Sequence, residues 1–166
     1  VYKGRAYIGV SGTGQFTQYS GHNITVIDLS GTMSIAYRVQ TQGYPQTSGL
    51  LTTAYEQDNG YVYVYFFDNY TPGTLRVLRD KAGQTEADYL TKESFSGRAY
   101  FTPYAVFTPF DKQAQYAICS PITDSDGTIY FKNDSGYLMA FGRSIEEIEV
   151  TKQPNKTQYN AGDTFE

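Results

Sequence analysis

Short runs of β-branched and aromatic residues alternate with clusters of Gly, Asn, Asp and Pro along this chain, and no window keeps apolar residues at helical spacing through three turns. The period-2 pattern predicts strands over Arg5–Val10, Ile24–Leu29, Ser34–Val39, Leu50–Tyr55, Tyr61–Phe67, Leu75–Arg79, Arg98–Phe101, Tyr116–Ser120, Thr128–Lys132 and Tyr137–Phe141. One short helix is expected, over Gln84–Ser94. Ten short strands and almost no helix make the chain all-β, either a propeller or a β-sandwich.

A repeat separates those two options. Gly4-Arg-Ala-Tyr-Ile-Gly-Val, Gly60-Tyr-Val-Tyr-Val-Tyr-Phe and Gly127-Thr-Ile-Tyr-Phe-Lys-Asn share one shape, and each is followed by a second short strand. Two are preceded by a Ser-x-apolar segment, at Ser48 and Ser120. The units start 56 and 67 residues apart, longer than the roughly 40 to 50 residues of simple propeller blades. Insertions at Gly12–Gly21 and Thr85–Gln113 account for the excess. A small meander cannot bury both of its faces alone, so each unit must pack against the next. About three blades of a partial propeller are therefore expected over residues 1–143. From Ser144 the pattern becomes polar and charged, and 144–166 reads as a linker and the truncated start of another domain.

Composition narrows the function more by exclusion than by assignment. Net charge is −4 with Lys and Arg scattered, so the basic footprint of a nucleic-acid binder is missing. The longest apolar run, Tyr61–Phe67, falls far short of the roughly 20 residues that span a bilayer; no membrane insertion by this segment is expected, and any signal peptide would lie upstream of Val1. The single cysteine, Cys119, cannot form an internal disulfide. Four N-x-S/T triplets, at Asn23, Asn69, Asn133 and Asn155, are accounted for by a composition rich in Asn, Ser and Thr.

Reactive chemistry is sparse. His22 is the one histidine and sits in Gly21-His-Asn23, a solvated-turn composition. Cys119 lies in an apolar stretch, where a free thiol behaves as a small hydrophobe. Asp124-x-Asp126-Gly127 fails the calcium-loop spacing, since positions six and twelve are Ile129 and Ser135, and reads as a hairpin turn. Gly12-Thr-Gly lacks the Lys of a phosphate loop. No catalytic residue, cofactor or metal is assigned. The aromatic stock is the informative feature, with 17 Tyr, 10 Phe and no Trp. Alternation places Tyr61, Tyr63 and Tyr65 on one face, and Tyr44, Tyr70 and Tyr104 fall at loop ends, where tyrosines build surfaces suited to sugars or peptides. These last three are the candidate ligand-binding residues.

The stretch from Ser120-Pro-Ile-Thr-Asp through Asp126-Gly-Thr-Ile-Tyr to Gly136-Tyr-Leu-Met-Ala-Phe resembles the blade signature of PQQ-like (quinoprotein-type) β-propellers, well in the third unit, moderately in the second and weakly in the first. Ile148-Glu-Val-Thr-Lys-Gln-Pro-Asn-Lys-Thr-Gln-Tyr-Asn-Ala-Gly-Asp is similar to the opening of bacterial immunoglobulin-like repeats. Together they imply a modular surface protein of a Gram-positive-like bacterium, located extracellularly at the cell surface or cell wall. Without Trp or vicinal cysteines, the quinoprotein redox chemistry does not carry over. The expected function is a non-catalytic binding or adhesion module for a glycan or protein ligand, with an accessory domain of a surface carbohydrate-active enzyme as the alternative. Three units cannot close a ring, so missing blades are expected upstream, and an open edge invites self-association.

Overall fold

A computed structural model of the chain describes residues 1–12, 21–95 and 98–142. The described residues form an all-β structure of three antiparallel sheets, none of them closed on itself. The first contains β1 (Arg5–Val10), β2 (Asn23–Asp28) and β3 (Ser34–Gln40) in that order. The second contains β4 (Leu50–Thr52), β5 (Val62–Phe67), β6 (Leu75–Asp80), β7 (Leu90–Phe95) and β8 (Arg98–Phe107), in the order β4-β5-β6-β8-β7. The third contains β9 (Ile122–Thr123), β10 (Ile129–Lys132) and β11 (Leu138–Phe141), with β10 central. A single helical turn, α1 (Glu56–Asn59), follows β4.

The sheets stack as three layers because the middle sheet's strands alternate their side chains between the first sheet and the third. Val64, Phe66 and Leu78 of the middle sheet meet Ile24, Val26, Tyr37 and Val39 of the first, forming one core. On the opposite face, Phe67 and Leu75 meet Ile129, Phe131 and Met139 of the third sheet, forming the second. The Phe67 and Phe131 rings sit 4.7 Å apart, a separation at which aromatic pairs add to area burial. The middle sheet is thus covered on both faces, although the third sheet covers only one end of its side.

A buried ionic lock joins the first two layers. The Asp80 carboxylate, fully buried, accepts hydrogen bonds from Arg5 Nε and Nη2, both at 2.9 Å, and from the hydroxyls of Tyr7 at 2.9 Å and Tyr37 at 2.8 Å. Burial and the adjacent Asp80 carboxylate push both phenols well above their ordinary range. A second lock centres on Arg76, which donates to Asp68, Glu93 and the Pro103 carbonyl. Asp68 also accepts the backbone N–H groups of Gln42 and Gly43, tying the β3–β4 loop to the middle sheet.

Several expectations are corrected. The segment 84–94 is not a helix: its second half is β7, an edge strand paired with β8 from Leu90↔Pro103 to Phe95↔Arg98. Glu93 gains two hydrogen bonds to buried Arg76 from that position, a tertiary gain that overrides local helix propensity. The stretch 116–120 forms no strand. It is pinned by other means, since Asp134 N–H donates to the Tyr116 carbonyl while Ala117 is fully buried in the second core. The strand expected over 50–55 stops at Thr52 and gives way to the turn leading into α1. The linker and truncated domain expected over 144–166 lie outside the described residues, as does most of the insertion at 12–21.

Candidate functional site

The alternation of Tyr61-Val-Tyr-Val-Tyr gives the site its first residues. Val62 and Val64 are buried against the first layer, so Tyr63 and Tyr65 must project from the opposite face of the middle sheet. Cross-strand register sets their neighbours: Tyr63 pairs with Arg79, Tyr65 with Val77, and Val77 in turn with Tyr104. Two further tyrosines arrive from outside the strands. Tyr55, before α1, meets Tyr63 edge-on at 5.7 Å. Tyr89, before β7, stacks on Tyr104 at 5.0 Å with the ring planes 28° apart. Six tyrosines, 55, 61, 63, 65, 89 and 104, therefore form a strip on this face that starts at Tyr65, packed against the second core, and runs onto the part that the third sheet leaves open.

Charges fix the strip's geometry. The Arg79 guanidinium lies 4.6 Å from the Tyr61 ring centroid and 5.1 Å from that of Tyr89, and the Lys81 ammonium lies 4.6 Å from Tyr61. Asp88 accepts from Arg79 Nε at 2.9 Å and from the Tyr61 hydroxyl at 2.9 Å. Partial burial raises the Asp88 carboxyl, but the hydrogen bonds from Arg79 and Tyr61 outweigh it and hold the carboxyl below its ordinary range. Cation–π contacts and the ion pair thus restrain side chains that would otherwise rotate. Burial, then the neighbouring Tyr55, Tyr63 and Tyr89, raise the Tyr65 phenol above its ordinary value.

At one end the strip drops into a cleft of about 420 Å³ between the second and third layers. Tyr55 and Tyr65 form its aromatic wall, and Asp124, Ser125, Asp126 and Gly127 form the polar one. The polar wall is braced by its own hydrogen bonds. Asp124 Oδ1 accepts the N–H groups of Asp126 and Thr128, and its Oδ2 accepts the Tyr130 hydroxyl at 2.9 Å. Gly127 closes this turn at φ 85°, a conformation that costs glycine little. The Tyr130 hydrogen bond holds the Asp124 carboxyl below its ordinary range, helped by backbone N–H groups, so it stays ionised. The expected hairpin turn at 124–127 is therefore present, and it walls a cleft that its sequence did not announce.

The three tyrosines singled out from the sequence do not converge. Tyr104 belongs to the strip and is 45% exposed. Tyr44 is buried, with its ring 3.9 Å from that of His22, and its carbonyl accepts the Asn69 N–H at 3.0 Å. Tyr70, half-buried, adjoins Asn69 in the same pair of loops. That locus lies beside the Gln42 and Asp68 contacts. His22 is not a solvated turn residue: it is 2% exposed and its Nδ1 accepts the Gly12 N–H at 3.0 Å, because the Tyr44 ring packs over it. Cys119 is half-buried outside any strand. Asn69 and Asn133 are buried, which removes both as accessible modification sites in the folded chain.

Tyr55 and Tyr89 were missed in the sequence because they join the strip from outside the strands, and Asp126 was read there only as a turn residue. Chemically, the site offers flat apolar faces, phenolic hydroxyls and three carboxylates, Asp88, Asp124 and Asp126, a set suited to polyhydroxylated ligands. Among the described residues no three His, Cys, Asp or Glu side chains gather as metal ligands, and no helix is long and apolar enough to cross a membrane. No protein-family model matches the chain, and no curated protein matches it.

Proposed function

We propose that this chain is a non-catalytic, extracellular binding module of a modular bacterial surface protein, and that it holds an extended glycan along the tyrosine strip. The observation that carries the reading is the continuity of six tyrosines on one open sheet face, ending in a cleft with a carboxylate wall. Aromatic faces stack on the apolar faces of sugar rings, while carboxylate and hydroxyl groups accept and donate hydrogen bonds at their edges. A strip laid across three strands suits several consecutive sugar units better than one. The fixed, ionised state of Asp124 supports binding over catalysis, because a carboxyl held below its ordinary range by three hydrogen bonds is a poor general acid. We read the three layers as consecutive blades of a partial propeller, supported by the shared alternation of their leading strands.

The test is binding of the purified chain to an immobilised panel of neutral oligosaccharides and mucin glycans, followed by calorimetry on the best responder. Tyr55 and Tyr104 are exposed, so Tyr55→Ala and Tyr104→Ala leave the cores intact. Each should weaken binding about tenfold, the equivalent of about 1.4 kcal/mol, and Tyr137→Ala, an exposed tyrosine outside the strip, should not. Absence of any glycan binding, or equal effects of all three substitutions, would overturn the proposal.

A further inference from the structure

The cleft between the second and third layers carries charge of one sign. Its lining, which runs from Leu50 and Thr52 past Tyr55 and Tyr65 to the turn at 123–127, holds two carboxylates, Asp124 and Asp126, and no Lys, Arg or His. The nearby cations are engaged elsewhere, Arg79 and Lys81 against the Tyr61 ring and Lys3 against Glu56. Asp124 accepts three hydrogen bonds from its own turn and from Tyr130, out of about four lone-pair positions on a carboxylate. Asp126 is exposed, and among the described residues its carboxylate has no hydrogen-bond or ion-pair partner. Facing both are the Tyr55 and Tyr65 rings, whose faces carry negative potential. A concavity walled by one sign of charge concentrates ions of the other. Rings combined with carboxylates suit an organic ammonium, which takes cation–π contacts and charge-assisted hydrogen bonds together. They suit a calcium ion poorly, since it takes roughly six to eight oxygens and among the described residues no three acidic, His or Cys side chains gather.

We propose that the cleft takes a protonated amino group carried on a sugar ring, so that the glycan laid along the strip presents a free-amine hexosamine at this end. The inference rests on the glycan reading of the strip and names the sugar chemistry that the cleft selects. The Asp126 carboxylate accepts from the ammonium, with the remaining position of Asp124 in the same wall, while Tyr55 and Tyr65 cover the ring carbons. A volume of about 420 Å³ falls within the roughly 300–1,000 Å³ of small-molecule sites and admits a whole ring. An N-acetylated sugar of the same shape brings no charge and leaves both carboxylates uncompensated.

Calorimetry on the purified chain tests it by comparing glucosamine oligomers with N-acetylglucosamine oligomers of equal length, at low salt and about pH 6, where such amines are protonated. The amine form should bind at least about tenfold more tightly, and added salt should narrow the difference. Asp126→Asn should cut the ratio of the two affinities to about threefold or less. Asp134→Asn, at an exposed carboxylate outside the cleft, should keep it. Equal affinity for the two forms would overturn the inference and leave the glycan reading standing. An equal loss of preference in both variants would also overturn it, because it would mark a general attraction of a polycation to a chain of net charge −4. Binding of neither form would overturn it as well, and the oligosaccharide panel with Tyr104→Ala would then decide the reading of the strip separately.

Discussion

Replacing Asp80 with Asn removes one charge from the lock between the first two layers and nearly no volume. Asp80 is fully buried and its partner Arg5 has a side chain only 5% exposed, so the substitution strands a cation inside the protein. It also costs the Tyr7 and Tyr37 hydroxyls part of their shared acceptor, since an amide nitrogen cannot accept. Removing one member of a buried ion pair costs about 3–5 kcal/mol. Arg5 keeps the Gln84 carbonyl at 2.9 Å and Asp28 at 3.6 Å, which places the expected loss near the lower end, about 3 kcal/mol. For a chain of this size each kcal/mol moves the thermal midpoint by roughly 2–4 °C, so a drop of about 6–12 °C is expected. Urea unfolding followed by circular dichroism should show the same loss as a lower midpoint at unchanged slope. A cost below about 1 kcal/mol, the worth of an exposed pair, would show that the lock is solvated and the reasoning wrong.

Gly9→Ala should destabilise by about 1–3 kcal/mol in the same unfolding assay; a Cβ there would lie 1.8 Å from the Pro45 carbonyl oxygen, a backbone atom that cannot swing aside. Asn133→Ala should cost about 1–3 kcal/mol, because the side chain is 2% exposed, donates to the Gln113 carbonyl at 2.6 Å and accepts the Ser135 N–H at 3.1 Å; a neutral result would mean that this loop is not fixed by that residue. Alkaline titration separates the tyrosines. Burial and the nearby carboxylates Asp80 and Glu93 raise the phenols of Tyr7, Tyr37 and Tyr100 above the ordinary value of 10. Since their neutral form is favoured in the folded state, the stability they contribute is complete below pH 10 and declines as pH rises beyond it. Phenolate absorbance should show these three lagging until the chain unfolds, and a single reversible step near pH 10 for all 17 tyrosines would contradict the buried geometry.

The strands legible in the sequence are those whose alternation is local. Arg5–Val10 and the run ending at Phe67 could be read because each side chain's direction follows from its neighbours. β7 could not, because Thr91-Lys-Glu-Ser has no apolar period; its pairing with β8 and the reach of Glu93 to Arg76 supply what the sequence pattern lacks. The site divides the same way. Tyr61, Tyr63 and Tyr65 were visible as one face of one strand, whereas Tyr89 meets Tyr104 only after the sheet has formed. His22 and Tyr44 each read as a turn or loop residue in isolation, and their mutual packing is a contact between loops that no local pattern encodes.

Along β6, residues that lock the layers and residues that line the strip alternate one by one: Arg76, Leu78 and Asp80 point to the first sheet, while Val77 and Arg79 point to the open face. The residues that lock the middle sheet to the first and the residues beside the tyrosines therefore run on separate parities of the same strand, with Leu75 joining the second parity to the third sheet. On the glycan reading proposed above, substitutions that retune the tyrosine surface leave the buried charges between the first two sheets untouched, so ligand preference and scaffold stability can be varied independently.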